Sequence, residues 1–248
     1  MQRLNTPFLR GALAFGLALA LWQGVVWASN VPHFILPGPG RVATSLWANA
    51  GVLAEHTRFT ALNLLAGLSA GAVLGVATAL NLALSPGARL LLRPILIFAQ
   101  AVPVFALAPI LTLWLGYGAT SKIVVVMLVV YFPIASTFFD GLMRLPAPLT
   151  DLAQTLQARP MRRLFLLQVP HALPALASGL RLAVVMAPFA VIVGEWVGSS
   201  RGLGHLMLMA NGRGQTDLMF ATLIVLAAQS LVLFAGIERI AKGRRKAH

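Results

Sequence analysis

Six stretches of this chain carry no acidic or basic side chain: 11–40, 59–88, 94–121, 123–139, 182–194 (extendable back through 172–180 past Arg181) and 218–237. A helix needs about 20 apolar residues to cross the hydrocarbon core of a bilayer. These runs therefore predict helices near 10–28, 59–83, 94–116, 121–140, 173–197 and 217–238, an all-α membrane bundle of about six transmembrane helices. Composition closes off the soluble alternative. Charged residues make up 10% of the chain, against about 25% in an ordinary soluble domain, so too little polar material exists to coat a water-facing surface. The length suits one transmembrane domain over 1–248, with its core at 59–238.

A formal charge of +13 would attract nucleic acid, but a nucleic-acid binder needs a soluble scaffold to present its basic face. Basic residues that flank apolar spans and fix their orientation are the simpler explanation. With six spans, Arg41, Arg58, Lys122, Arg201 and Arg213 fall on one side and Arg181 falls inside a span; the other thirteen of the 19 Lys and Arg, from Arg3 to Lys246, fall on the opposite side. Both termini are therefore expected in the cytoplasm, and a five-span arrangement would spoil the asymmetry. The first run has two readings. Arg3 and Arg10 before an apolar stretch suit a signal peptide, whereas its length and the lack of a small-x-small site near Ala28 suit a retained span. With no cysteine, disulfides, thiol chemistry and Cys-ligated metals are excluded.

Two spans have internal character. In the second, Gly67, Gly71 and Gly75 recur every four residues, a small-residue face that lets another backbone approach closely in lipid. The third contains Pro94, Pro103 and Pro109, with Gln100 between the first two. Each proline removes a backbone donor and bends the helix, and broken helices survive in membranes where they face protein or a water-lined path. Gln100 and Pro103 are thus translocation-pathway candidates, with a plain kinked packing helix as the alternative. Outside the membrane, Val42 to Leu53 has near-helical apolar spacing that suits a helix lying along the interface.

The loop 141–172 is the most informative segment. Thr150 is placed to cap a helix over Asp151–Gln157, and Pro160 to open another running to about Gln168. Met161, Leu164, Phe165 and Gln168 then fall at i, i+3, i+4 and i+7 on one face, flanked by Arg159, Arg162 and Arg163, before Val169–Pro170 stops the helix and Pro174 starts the return to the membrane. A basic loop attracted to anionic lipid does not account for a short apolar face turned toward water. Such a knob suits a partner's groove.

The loop resembles the EAA motif of ABC importer permeases: Glu-Ala-Ala, three residues, Gly, nine residues, Ile, one residue, Leu-Pro. Here Asp151-Leu152-Ala153, Gln157, Leu167 and Val169-Pro170 keep every spacing. Pro174, Gly179-Leu180-Arg181, Gly194-Glu195-Trp196 and Gly202-Leu203-Gly204 also look like the subgroup importing sulfonates, taurine, nitrate or thiamine precursors, and the similarity runs over roughly 35–240. Two departures stand out. Asp151 replaces the glutamate and keeps its charge; Gln157 replaces the glycine, and if that position needs φ > 0 the exchange costs about 1 kcal/mol or more.

The resemblance implies a binding-protein-dependent inner-membrane permease that is not itself an enzyme, working as a pair of copies with a cytoplasmic ATPase dimer and an extracytoplasmic substrate-binding protein. ATP would bind the partner, since no phosphate-binding glycine loop occurs in this chain. Asp151, Ala153, Gln157, Met161, Leu164, Phe165, Gln168 and Pro170 would form the ATPase-coupling element. Gln100-Ala101-Val102-Pro103, Trp114-Leu115-Gly116-Tyr117-Gly118 and Glu195-Trp196 look most like permeases for thiamine-precursor pyrimidines. Glu195 either contacts the binding protein, gates the path or is a structural acid, and Arg181 is expected to snorkel to the inner interface. The five histidines make no metal-ligand spacing, and no acidic pair sits mid-membrane where a proton-coupled carrier would want one.

Overall fold

A computed structural model describes residues 7–245; Arg3 and Lys246, which contribute to the charge asymmetry, lie outside them. Among the described residues every regular element is helical. The elements are α1 (Pro7–Ser29), α2 (Pro39–Ala48), α3 (Ala50–Leu84), α4 (Pro86–Ala101), α5 (Val104–Leu115), α6 (Ala119–Met143), α7 (Ala147–Thr155), α8 (Pro160–Arg163), a π-turn (Leu164–Gln168), α9 (Val169–Gly198), α10 (Leu203–Gly212) and α11 (Thr216–Arg245). Five helices are long and apolar enough to cross a membrane: α1, α3, α6, the continuous rod Pro160–Gly198, and α11.

The third expected span is two helices. Pro103 has extended backbone and stands as the N-cap of α5, so the chain breaks at Val102–Pro103, while Pro94 and Pro109 are carried inside α4 and α5. Proline at 103 has no N–H with which to continue the α4 ladder, and its ring crowds the preceding turn. The expected interfacial helix is also shorter than its apolar spacing indicated: α2 ends at Ala48, and Leu53 belongs to α3. Val42 is buried, and Arg41 ties α2 to Asp217 of α11 across 3.0 Å.

The core is the trio α3, α6 and α9. Leu64 and Leu68 of α3, Val125, Val126, Val130 and Ile134 of α6, and Ala183, Val184, Ala187 and Val191 of α9 form one cluster. Close approach is what makes it possible. A Cβ added at Gly67 would lie 2.6 Å from that of Val126, and one at Gly75 would lie 3.1 Å from the carbonyl oxygen of Tyr131. Gly71 meets Val130 more tightly still, and Gly179 of α9 meets Thr137 of α6. Lipid supplies no hydrophobic drive to join helices, so dispersion contacts of this closeness are what hold them together. By contrast α1 fully buries no residue of its apolar window and is held by Trp22, whose indole donates to the Pro37 carbonyl at 3.1 Å and stacks on Phe220 of α11.

Candidate functional site

The segment between α6 and the α9 rod begins as α6 stops at Met143. Pro146 is the N-cap of α7, with Pro148 in its first turn. The helix therefore starts at Ala147, four residues before the expected position. Thr150 is inside it, its hydroxyl donating back to the Pro146 carbonyl at 3.3 Å rather than capping. Prolines with preset φ win over a side-chain cap here.

At the end of α7 the chain makes a Schellman turn. The Gln157 N–H donates to Gln154 O and the Ala158 N–H to Ala153 O, both at 2.9 Å, and Gln157 has φ of +47°. The left-handed position that the motif fills with glycine is thus kept by a glutamine. An L-residue there bears about 1–2 kcal/mol of strain. Ala153 is buried at the base of this turn, whereas Asp151 is exposed.

Pro160 opens the next helix, but it does not end at Gln168. The Val169 N–H reaches back five residues to the Leu164 carbonyl, making a π-turn, and the helix runs on through Pro170 and Pro174 to Gly198 as one rod of 39 residues. The wider turn moves carbonyls away from the Pro170 ring, which lacks an N–H and would clash in a regular α-helix. It also resets the register, so the expected single face is split. Leu164 is fully buried against Leu82, Phe138, Leu142 and Ala172, and Gln168 is buried too. Met161, Phe165 and Leu166 stand out, with 56%, 51% and 69% of their surface exposed. Leu152 and Leu156, one turn apart on α7, are likewise exposed, and Pro170 lies on the surface.

The three pathway candidates are not brought together. Gln100 lines a cavity of about 160 Å³ between α4 and α6 with Arg93, Leu96, Phe132, Ser136 and Asp140. Pro103 sits at the helix break. Glu195, near the other end of the α9 rod, is fully buried. Its Oε1 accepts from the Thr60 hydroxyl and its Oε2 from the Gly204 N–H, both at 2.8 Å, while Thr60 Oγ1 accepts from the Leu203 N–H at 2.8 Å. Gly202, at φ +110°, packs directly on the carboxylate, where a Cβ has no room. Lys122 is also fully buried, its ammonium donating to the Tyr117 carbonyl at 3.0 Å, the Ser121 hydroxyl at 3.2 Å and the Gly198 carbonyl. Sequence reasoning counted Lys122 as a flanking charge and missed this clasp; the signal available was a charge placed among Gly116, Gly118 and Ser121 at a span end. Arg181 pairs with Glu238 of α11.

Residues 71–246 match the family described as binding-protein-dependent transport system inner membrane component. A probable ABC transporter permease protein of Haemophilus influenzae is 46% identical over 95% of this chain and 96% of its own length. The riboflavin transport system permease protein of Chloroflexus aurantiacus is 34% identical over 94% of this chain and 88% of its own. The formylaminopyrimidine transport permease protein of Halalkalibacterium halodurans is 30% identical over 94% and 93%. Among solved structures, an amino acid ABC transporter crystallised with histidines superposes with a TM-score of 0.65 at 13% identity, covering 83% of this chain and 98% of that one; the likeness is one of fold. The chain belongs to the family of inner-membrane permease components of binding-protein-dependent ABC importers.

Proposed function

We propose that this chain, as a single permease domain with both termini in the cytoplasm, converts docking of an ATPase at α7–α8 into movement of the membrane-spanning helices. One observation carries the reading. Met161 and Phe165 project from the first turns of the rod that runs unbroken through the bundle to Gly198, while Leu164 between them is locked into the core. At 1.5 Å per residue the rod is about 58 Å long. A push on its exposed end is carried along the whole fifth span without a hinge loop to absorb it. ATP-driven closure of an ATPase dimer would move two such rods together in a pair of permease copies. A solute handed over by an external binding protein would then pass between the copies, and hydrolysis would reset them.

The solute is a small planar nitrogen heterocycle, a thiamine-precursor pyrimidine being the first choice. Support comes from the cavity at Gln100, where an amide, the Ser136 hydroxyl, the Asp140 carboxylate and the Arg93 guanidinium surround two phenylalanine rings. The relatives named for riboflavin and formylaminopyrimidine, at 34% and 30% identity over 94% of this chain, also match more of it than those named for sulfonates, at 28% and 30% identity over 91% and 84%.

Co-purification of the tagged chain with its candidate ATPase, repeated with Phe165→Asp, tests the proposal. The aspartate would bury a charge in the docking groove, and association should fall by two orders of magnitude or more, about 3 kcal/mol. Unchanged association would remove the 160–168 segment from this role. Solute flux without any ATPase would point to a stand-alone carrier, and ATPase recruitment without flux to a membrane anchor.

A further inference from the structure

Beneath the docking segment lies a second cavity, of about 340 Å³, lined by Ala83 and Leu84 at the end of α3, Arg89 of α4, Met143 of α6, Ala158 and Pro160 of the turn, and Arg163 and Gln168 of the rod. Two guanidinium groups face it and no acid does. Arg89 is held in place from behind. Its Nε donates to the Leu82 carbonyl at 3.1 Å and its Nη2 to the Ala83 carbonyl at 3.2 Å, closing the end of α3, while its Cζ lies 5.8 Å from the Phe139 ring centroid. Nη1 is left for the cavity. Arg163 Nε is buried with no hydrogen-bond partner. Neither arginine belongs to an ion pair with a carboxylate among the described residues; those pairs are formed by Arg41 and Arg181.

Two cations converging on one cavity, one of them with a desolvated and unsatisfied donor, repel each other and cost free energy unless an anion lies between them. The donors left over, Nη1 of Arg89 and the guanidinium of Arg163, suit the several oxygens of a tetrahedral oxyanion better than a single halide. The cavity also lies at the ends of three spans on the arginine-rich side, the level at which lipid headgroups sit.

We propose that this cavity binds a phosphate group, which joins the α3–α4 corner to the root of the docking segment. Phosphate of this kind has two sources, the headgroup of an anionic phospholipid or free inorganic phosphate. Bound there, it neutralises Arg89 and Arg163 together and stiffens the junction on which α8 rests.

The test uses the purified full-length chain in neutral detergent, with thermal unfolding followed as dihexanoyl-phosphatidylglycerol or inorganic phosphate is added at constant ionic strength. Wild type should be stabilised by at least one of them over the same concentration of sodium chloride. Arg89→Gln and Arg163→Gln should each weaken the apparent affinity about tenfold, the loss of one charge-assisted contact, and Arg201→Gln on the opposite side should leave it unchanged. Stabilisation by phosphatidylglycerol alone assigns the site to lipid; stabilisation by both assigns it to the phosphate group itself. Native mass spectrometry of wild type gives an answer that does not depend on the variants folding: a retained phosphatidylglycerol or phosphate adduct supports the site. Absence of both the adduct and the stabilisation overturns it. Equal shifts in Arg163→Gln and wild type also overturn it. So does an effect of Arg163→Gln confined to recovery of the ATPase, which would make the cavity a socket for a protein side chain.

Discussion

The two ends of the α9 rod solve opposite problems. At one end apolar side chains, Met161, Phe165 and Leu166, are left in the open with nothing among the described residues to cover them. At the other end Glu195 and Lys122 are fully buried, and the chain itself supplies their partners from α3, α6, the 116–118 turn and α10. An exposed hydrophobe points outside the molecule for its explanation, whereas a satisfied buried charge is explained within it. The first end is therefore expected to matter for partners and little for folding, and the second the reverse.

The sharpest way to break this contrast is Glu195→Ala. The change strands the Thr60 hydroxyl and the Gly204 N–H, and leaves Lys122 without the neighbouring negative charge. Removing one member of a buried charged network costs about 3–5 kcal/mol, so the variant should unfold at much lower temperature in detergent, with or without ATPase present. Glu195→Gln keeps the shape and should cost about 1–3 kcal/mol. If Glu195→Ala kept wild-type thermal stability but stopped transport, the Glu195 end would be a working surface and the contrast would fail.

At the end that carries Met161 and Phe165 the contrast is tested on adjacent residues. Leu164→Ala empties a fully buried site and should cost about 2–5 kcal/mol, measured by thermal unfolding. Phe165→Ala should move stability by no more than about 0.5 kcal/mol yet reduce ATPase association. Equal destabilisation by the two would mean that the π-turn does not divide inward from outward as the geometry has it.

This pair also marks where sequence reasoning stopped. The spans, the Gly67–Gly71–Gly75 seam and the loop's motif spacing were legible because they rest on composition and short-range periodicity. The face of the docking helix was not. An i, i+3, i+4, i+7 pattern assumes 3.6 residues per turn, and the π-turn at Leu164–Gln168 breaks that assumption by keeping Pro170 inside the rod. The Glu195 clasp was hidden for a different reason. Its members come from positions 60, 195, 203 and 204, and only the packing of α3, α9 and α10 brings them together.

A smaller effect is expected at the two Schellman turns, which share one backbone solution and differ in one residue. Gly214 takes the left-handed position after α10 at φ +67°, with Gln215 N–H to Ala210 O at 2.9 Å; Gln157 takes it after α7 at φ +47°. Gln157→Gly should stabilise by about 1 kcal/mol and Gly214→Ala should destabilise by a similar amount. Because α7 adjoins the docking segment, Gln157→Gly should leave ATPase association intact. A loss of stability on introducing glycine would mean that the glutamine side chain makes a contact worth more than the strain.

The smallest effect concerns the Glu195 end and acid. His205 on α10 stacks on His56 of α3 at a ring-centroid distance of 6.3 Å, and His56 Nδ1 lies 3.0 Å from the Gly202 nitrogen and 2.9 Å from its carbonyl oxygen. Burial, and then the neighbouring His56, push the His205 pKa below its ordinary value of 6.5. Above pH 6.5 the ring is neutral in both folded and unfolded chains and contributes its full share. As pH falls below 6.5 the unfolded chain takes up a proton that the folded chain resists, so stability declines until the native ring also protonates. Thermal unfolding at pH 8 and pH 5 should therefore show an acid-induced loss that shrinks in His205→Gln. The Glu195 clasp shares Gly202 with this pair, so its loss should make the acid sensitivity larger. An unchanged pH dependence in His205→Gln would show that the Glu195 end owes its rigidity to the carboxylate clasp without help from the histidine stack.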